Sequence, residues 1–230
     1  MKTFKILGLL LTYPKAENFK NFDKMKQVLE AEKILPVKNL KLVSEFLGKQ
    51  KATDLLELQE EYVETFDRSR SCCLNLFEHV HGESRDRGQA MVDLAEMYHE
   101  KGLFIDSKEL PDFIPVFLEY LSLCKVAETT DLLDDVVHII ATIGAKLKKG
   151  KNDYHIIFDA IEKLSTVKID SKIIEKALAD LAAEDNSLEA LDKNWEEAEA
   201  FTGNAEDDCN TCNAFPNATE SLQKMSGDKS

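Results

Sequence analysis

Apolar residues recur at intervals of three and four through nearly all of the first 183 residues, the spacing of a buried helical stripe rather than the alternation of a strand. Leu55, Leu58, Gln59, Tyr62 and Phe66 fall on one face of a helix that begins near Thr53 or Asp54. Met91, Leu94, Ala95 and Tyr98 do the same in a helix that Gly102 closes as a left-handed C-cap. Pro111 suits the first turn of a helix through Phe113, Val116, Phe117, Tyr120 and Leu121. Asp131, with Asp134 three residues on, resembles a capping box for a helix over Leu132 to Leu147. Asp153 and Asp170 are placed to cap two more, reaching Leu164 and Leu181. The apolar run at the amino terminus predicts a buried first helix ended by Pro14. Strand signals are nearly absent, so the pattern predicts an all-α fold: a single compact helical bundle with a flexible acidic C-terminal tail.

Length and composition sharpen that picture. The chain has 230 residues, with only nine Gly and five Pro, and no Pro/Ser-rich break interrupts the apolar spacing before residue 184. One helical domain over residues 1–200 is expected, with 201–230 as a disordered acidic and polar tail. The net charge of −14 is uneven, because residues 184–208 hold ten acids against Lys193 alone, which leaves −5 for the first 183. A surface this acidic lacks the basic footprint that releases counterions from phosphates, so a general nucleic-acid binder is excluded.

The first residues, Met1 to Leu11, imitate a secretory signal, but Tyr13-Pro14-Lys15 stands where small residues would mark cleavage. The apolar run is also far shorter than the ~20 residues that cross a bilayer. Five cysteines, an odd number, do not make a disulfide framework and point to a reducing cytoplasm.

The densest chemistry lies between Phe66 and Leu94, centred on Phe77-Glu78-His79-Val80-His81-Gly82-Glu83-Ser84-Arg85-Asp86-Arg87-Gly88. Gly82 interrupts the helical pattern, and Ser84 is placed as N-cap of the helix running from Arg85 toward Gly102. Arg85 and Arg87 then sit in the first turn, where the helix dipole disfavours each by about 0.3–1 kcal/mol. Compensation must come from Glu78, Glu83, Asp67 or Asp86. Two readings stay open together: a salt-bridged corner that locks the turn, and the polar rim of a peptide groove.

Other candidates are weaker. His79 and His81 do not share a face in a helical chain, and completing a metal site would require Cys72, Cys73 or a carboxylate at unsupported spacing. No metal is expected. Cys209-Asn210-Thr211-Cys212 is one CxxC pair among acids, too few ligands for zinc and without a cation to stabilise a thiolate. Gly144 to Asn152 imitates a phosphate loop, yet five residues separate its glycines and no Ser or Thr follows Lys151. It reads as a basic helix end. No nucleophile–base pair stands out near Ser69, Ser71 or Ser84, so an enzyme is not expected.

The central run closely resembles the NarJ family, the dedicated assembly chaperones of respiratory nitrate reductase. So do Leu10-Leu11-Thr12-Tyr13-Pro14, Glu109-Leu110-Pro111-Asp112, Leu118-Glu119-Tyr120-Leu121, Ile169-Asp170-Ser171 and Ala190-Leu191-Asp192 with Trp195-Glu196-Glu197. These segments fall in family order over roughly residues 1–200. The resemblance implies an all-helical chaperone without a cofactor of its own. Its implied partner is the apo catalytic (alpha) subunit of nitrate reductase, bound in the cytoplasm by its N-terminal segment, a remnant of a twin-arginine signal. The subunit would be kept competent for insertion of the molybdenum-guanine dinucleotide cofactor and an iron–sulfur cluster before it docks at the membrane. Under that resemblance Glu78, His79, His81, Glu83, Arg85, Asp86 and Arg87 shape the polar side of the peptide groove, with Tyr13, Asp112, Glu119 and Tyr120 as further contributors. Where relatives commonly show Pro-Asp-His this chain has Pro111-Asp112-Phe113, which predicts a more apolar groove there. The alternatives are a chaperone of another molybdenum oxidoreductase and, against the broken phosphate loop, a nucleotide-dependent enzyme.

Overall fold

A computed structural model of the protein describes residues 1–80, 86–105 and 109–183. Among these the backbone is helical: α1 Lys2–Leu10, α2 Ala16–Phe19, α3 Phe22–Glu32, α4 Val37–Ala52, α5 Leu55–Tyr62, α6 Asp86–Glu100, α7 Ile114–Leu123, α8 Val126–Lys149, α9 His155–Glu162 and α10 Ser171–Ala183. A π-turn, Val63–Asp67, extends α5, and two 3-10 turns, Arg70–Cys72 and Leu76–His79, lead toward α6. The strand-like element among the described residues is one isolated antiparallel bridge, Asn75 to Phe113.

The long helix α8 is the axis of the bundle. Val136, Ile139, Ile140 and Ile143 are buried on it, and α7, α9, α10 and the turns at 70–79 pack around it. An apolar girdle of this kind is why the stripe pattern alone reveals a bundle. Two glycines set the closest approaches. A Cβ on Gly8 of α1 would lie 2.9 Å from the Pro115 carbonyl oxygen of α7, and one on Gly144 of α8 would lie 2.9 Å from Phe158 Cβ of α9. Gly8→Ala is therefore expected to destabilise the fold by about 1–3 kcal/mol through overpacking, despite the ~1 kcal/mol that alanine gains in helix propensity. A denaturation midpoint at or above the wild-type value would show that α1 can slide on α7 at little cost.

The amino terminus of α1 is capped from a distance. Both Glu32 carboxylate oxygens, at the end of α3, accept: Oε1 from the Lys2 amide, Oε2 from the Thr3 amide and hydroxyl, each at 2.8 Å. The Met1 ammonium donates to the Ser122 carbonyl at 2.7 Å. Burial alone would push the Glu32 pKa up, but the three hydrogen bonds and the nearby terminal charge pull it below its ordinary value. A depressed folded-state pKa means stabilisation present above the unfolded value near 4.5 and lost as pH falls through the folded value. Glu32→Gln should cost about 1 kcal/mol at neutral pH. The gap from wild type should close as the pH drops below 4.5, and chemical denaturation at several pH values checks this.

Several expected helix ends hold. Asp54 caps α5 by accepting from the Leu56 amide, and Asp170 caps α10 by accepting from the Lys172 amide at 2.9 Å. Gly102, at φ +76°, closes α6 in a Schellman motif, with Gly102 N–H to the His99 carbonyl and Leu103 N–H to the Tyr98 carbonyl.

Three expected starts are corrected. Asp131 does not open a helix, because α8 begins at Val126, one turn and more earlier. The buried Thr129 hydroxyl donates to the Leu121 carbonyl there, which ties the first turn of α8 to α7. Pro111 lies in the turn before α7, whose first-turn proline is Pro115. Asp153 does not cap α9; the Asn152 side chain accepts from the Tyr154 amide, and Asp153 pairs with Lys49 at 2.6 Å. Ser84, the tail from residue 184 and its CxxC pair lie outside the described residues.

Candidate functional site

The end of α1 is stapled to α5. Tyr62 Oη donates to the Leu11 carbonyl at 3.1 Å and Gln59 Nε2 to the Pro14 carbonyl at 2.9 Å. This fixes Tyr13 with its ring edge-on to Tyr62, centroids 5.6 Å apart, and leaves it 40% exposed. The π-turn continues this wall. Arg68 N–H reaches back to the Val63 carbonyl, and Asn152 Nδ2 holds the Thr65 hydroxyl at 2.8 Å.

Opposite stands the Leu74–Phe77 segment, clamped to Leu110–Ile114. Ile114 N–H donates to the Leu74 carbonyl at 2.8 Å and Leu76 N–H to the Asp112 carbonyl at 3.0 Å. The Asp112 carboxylate, fully buried, completes the clamp by accepting from Asn75 Nδ2 and the Phe77 amide, both at 3.0 Å. Burial pushes the Asp112 carboxyl above its ordinary pKa, against the pull of those two hydrogen bonds and of the Arg87 guanidinium. A buried carboxylate with both oxygens engaged is a structural part.

Between these walls lies a cleft of about 610 Å³. Its apolar lining comes from Leu9, Tyr13, Tyr62, Leu110 and Phe113, and its acids are Glu17, Asp67 and Glu109, with Lys15 as the lining cation. Tyr62 senses the charge: burial first, then the Asp67 carboxylate, and then Tyr154 and Glu109 raise its phenol well above the usual range. A second cleft, about 840 Å³, adjoins across Tyr13 and carries Leu56 and Val63 among Glu57, Glu60, Glu61 and Glu64. Its cations are engaged, Lys49 with Asp153 and Arg68 with Glu64 at 2.7 Å. Burial raises the Glu61 carboxyl despite Lys49 nearby. Apolar walls with acidic rims suit a partner segment that is apolar and basic.

The residues singled out by sequence are dispersed relative to these clefts. Tyr13 lines both. Phe113 lines the first. Glu78 and Arg87 meet at 3.4 Å, so the first-turn arginine does have a compensating acid. His79 Nε2 lies 2.9 Å from the Cys73 carbonyl and 3.6 Å from Cys73 Sγ. Burial pushes the His79 pKa down and the Cys73 thiol up to about 12, leaving a neutral imidazole beside a protonated thiol that contacts Glu78 Oε2 at 3.3 Å. This corner packs and locks; it does not supply a nucleophile.

Glu119 pairs with Lys5 of α1 at 2.6 Å, and Tyr120 is buried against Tyr98, centroids 4.8 Å apart. Neither Glu119 nor Tyr120 lines the two clefts. His81, Glu83 and Arg85 lie outside the described residues, as does the Asp86 side chain. The basic stretch after Gly144 is a helix end, where Lys146 Nζ donates to the Ser71 carbonyl and Lys149 Nζ to that of Leu178. Glu17, Tyr62 and Leu110 were not anticipated as lining residues. The one sequence signal for them is the polar Gln59 inside the apolar face of α5.

An all-helical bundle that shapes adjoining apolar clefts with acidic rims has the form of a protein that binds other chains. Residues 32–155 match the family described as nitrate reductase delta subunit. The chain is 42% identical over 192 residues to the nitrate reductase molybdenum cofactor assembly chaperone NarJ of Escherichia coli K12, covering 84% of this chain and 81% of that one. It is 35% identical over 216 residues to the probable assembly chaperone NarW of the same strain, covering 94% and 89%. The crystal structure of a putative redox enzyme maturation protein from Archaeoglobus fulgidus shares the fold, with a TM-score of 0.52 at 24% identity over 71% of this chain and 92% of that one. The chain therefore belongs to the NarJ family of nitrate reductase assembly chaperones, a family of maturation proteins and not of catalysts. Among the described residues no helix is long and apolar enough to cross a membrane.

Proposed function

We propose that this protein is a system-specific cytoplasmic chaperone of respiratory nitrate reductase. It binds the apo catalytic subunit through that subunit's N-terminal segment and holds it competent for molybdenum cofactor and iron–sulfur insertion before membrane docking. The observation that carries the reading is the identity with the NarJ chaperone over most of both chains. The first cleft supplies a physical basis: an amphipathic helix can lay its apolar face on Leu9, Tyr62, Leu110 and Phe113 while Glu17, Asp67 and Glu109 meet its basic residues.

The test is affinity capture with the tagged chain from nitrate-respiring cells, followed by mass spectrometry and by titration of the recovered partner's N-terminal peptide. Recovery of the nitrate reductase alpha subunit, with saturable peptide binding, supports the reading. Recovery of a different molybdenum oxidoreductase in its place would overturn the assignment of partner while leaving the chaperone class intact.

A further inference from the structure

α10 is held unlike the other helices. Ile173, Ile174, Ala177 and Leu178 are only half-buried and none of its described side chains is fully buried, whereas every other described helix of eight residues or more buries at least one. One tie to α8 holds the connection that precedes it, and one holds the helix itself. The Asp134 carboxylate accepts from the Ser165 and Thr166 hydroxyls and from the Thr166 amide, the last at 2.9 Å. Lys149 Nζ donates to the Leu178 carbonyl at 3.0 Å.

Asp134, His138, Ala145 and Lys149 share one stripe of α8, with Thr142 beside it, because steps of four and seven residues return to nearly the same face. The two ties are separated along α8 by roughly 22 Å, at about 1.5 Å per residue. The chain from Ser165 to Leu178 runs between them, so the connection and the first turns of α10 lie along this stripe. The stripe carries His138 Nδ1 and Thr142 Oγ1, buried side-chain polar atoms without a hydrogen-bond partner among the described residues. Among its described side chains closure thus gains little apolar burial, while two polar atoms of the stripe stay unsatisfied, and opening would let water reach them.

We propose that α10 is a detachable strap. It opens as a unit about the 166–170 connection while α8 and α9 stay folded, and so gates the α8 stripe that carries His138 and Thr142. This inference does not depend on the chaperone reading.

Hydrogen exchange on the full chain tests it. The α10 amides from Ile174 onward are expected to exchange about tenfold or more faster than those of α8 between Val136 and Leu147, with α9 protected like α8. Exchange of all three helices at one common rate would overturn the proposal, because α10 would then open only with the whole fold. A His138→Leu, Thr142→Val double variant removes both unsatisfied atoms. It should slow α10 exchange about threefold or more relative to α9. Faster or unchanged α10 exchange in that variant would show that the polar stripe is not what loosens the strap.

Discussion

Replacing Asp112 by alanine is expected to destabilise the protein by about 2–4 kcal/mol, because the buried Phe77 amide and the Asn75 side-chain amide both lose their acceptor. Asp112→Asn should cost less, since one acceptor oxygen remains and the burial of a charge is relieved. The pH profile separates this account from a generic packing defect. The folded-state pKa lies above the ordinary value of 3.8, so between the two values the folded chain holds more protons than the unfolded one. Stability contributed by this group must then fall as pH rises through that window. Glu32 and Asp134, whose pKa values are depressed, act in the opposite direction. The quantity to measure is therefore the difference in unfolding free energy between wild type and Asp112→Asn across the acid-to-neutral range. The difference should fall as pH rises inside that window, at no more than about 1.4 kcal/mol for each step of one in pH, and level off outside it. A flat difference would mean that Asp112 ionises in the folded protein as it does in the unfolded chain.

The fold was largely legible because helix stripes and local end signals are encoded within a few residues. Asp54, Asp170 and Gly102 act where their positions predict, since capping is a property of the adjacent turn. Asp131 and Asp134 mislead for the converse reason. Asp134 pins Ser165 and Thr166 from across the bundle, a role that looks locally like half of a capping box. The π-turn after α5 was equally hidden, because Tyr62 and Phe66 keep the same four-residue spacing whether the turn is α or π. The crowded run at 78–87 stands out by composition, and the part of it that is described forms the Glu78–Arg87 and His79–Cys73 contacts of a locked corner. The clefts could not be read this way. Glu17, Asp67 and Glu109 are far apart in the chain, and only the stapling of residues 11–14 to α5 and of 74–77 to 110–114 brings them to one rim.

Reversing two of those rim charges is expected to weaken binding of the target's N-terminal peptide by about tenfold or more, ~1.4 kcal/mol, with little change in stability. Asp67→Lys with Glu109→Lys is the variant, since both side chains are exposed and lie near the Tyr62 phenol. Steering by an acidic rim acts chiefly on association, so the loss should appear mainly in the on-rate and shrink as salt shortens the Debye length from about 10 Å at 0.1 M. Wild-type binding should itself weaken only modestly with salt, because apolar contact with Leu9, Leu110 and Phe113 persists. Arg87→Ala provides the opposing case. It removes the partner of Glu78 at a half-buried pair, so under the locked-corner account its effect falls on the denaturation midpoint and spares peptide affinity. If Arg87→Ala instead weakens peptide binding at unchanged stability while the double reversal binds normally, recognition belongs to the 78–87 corner and the acid-rimmed cleft is not the docking face.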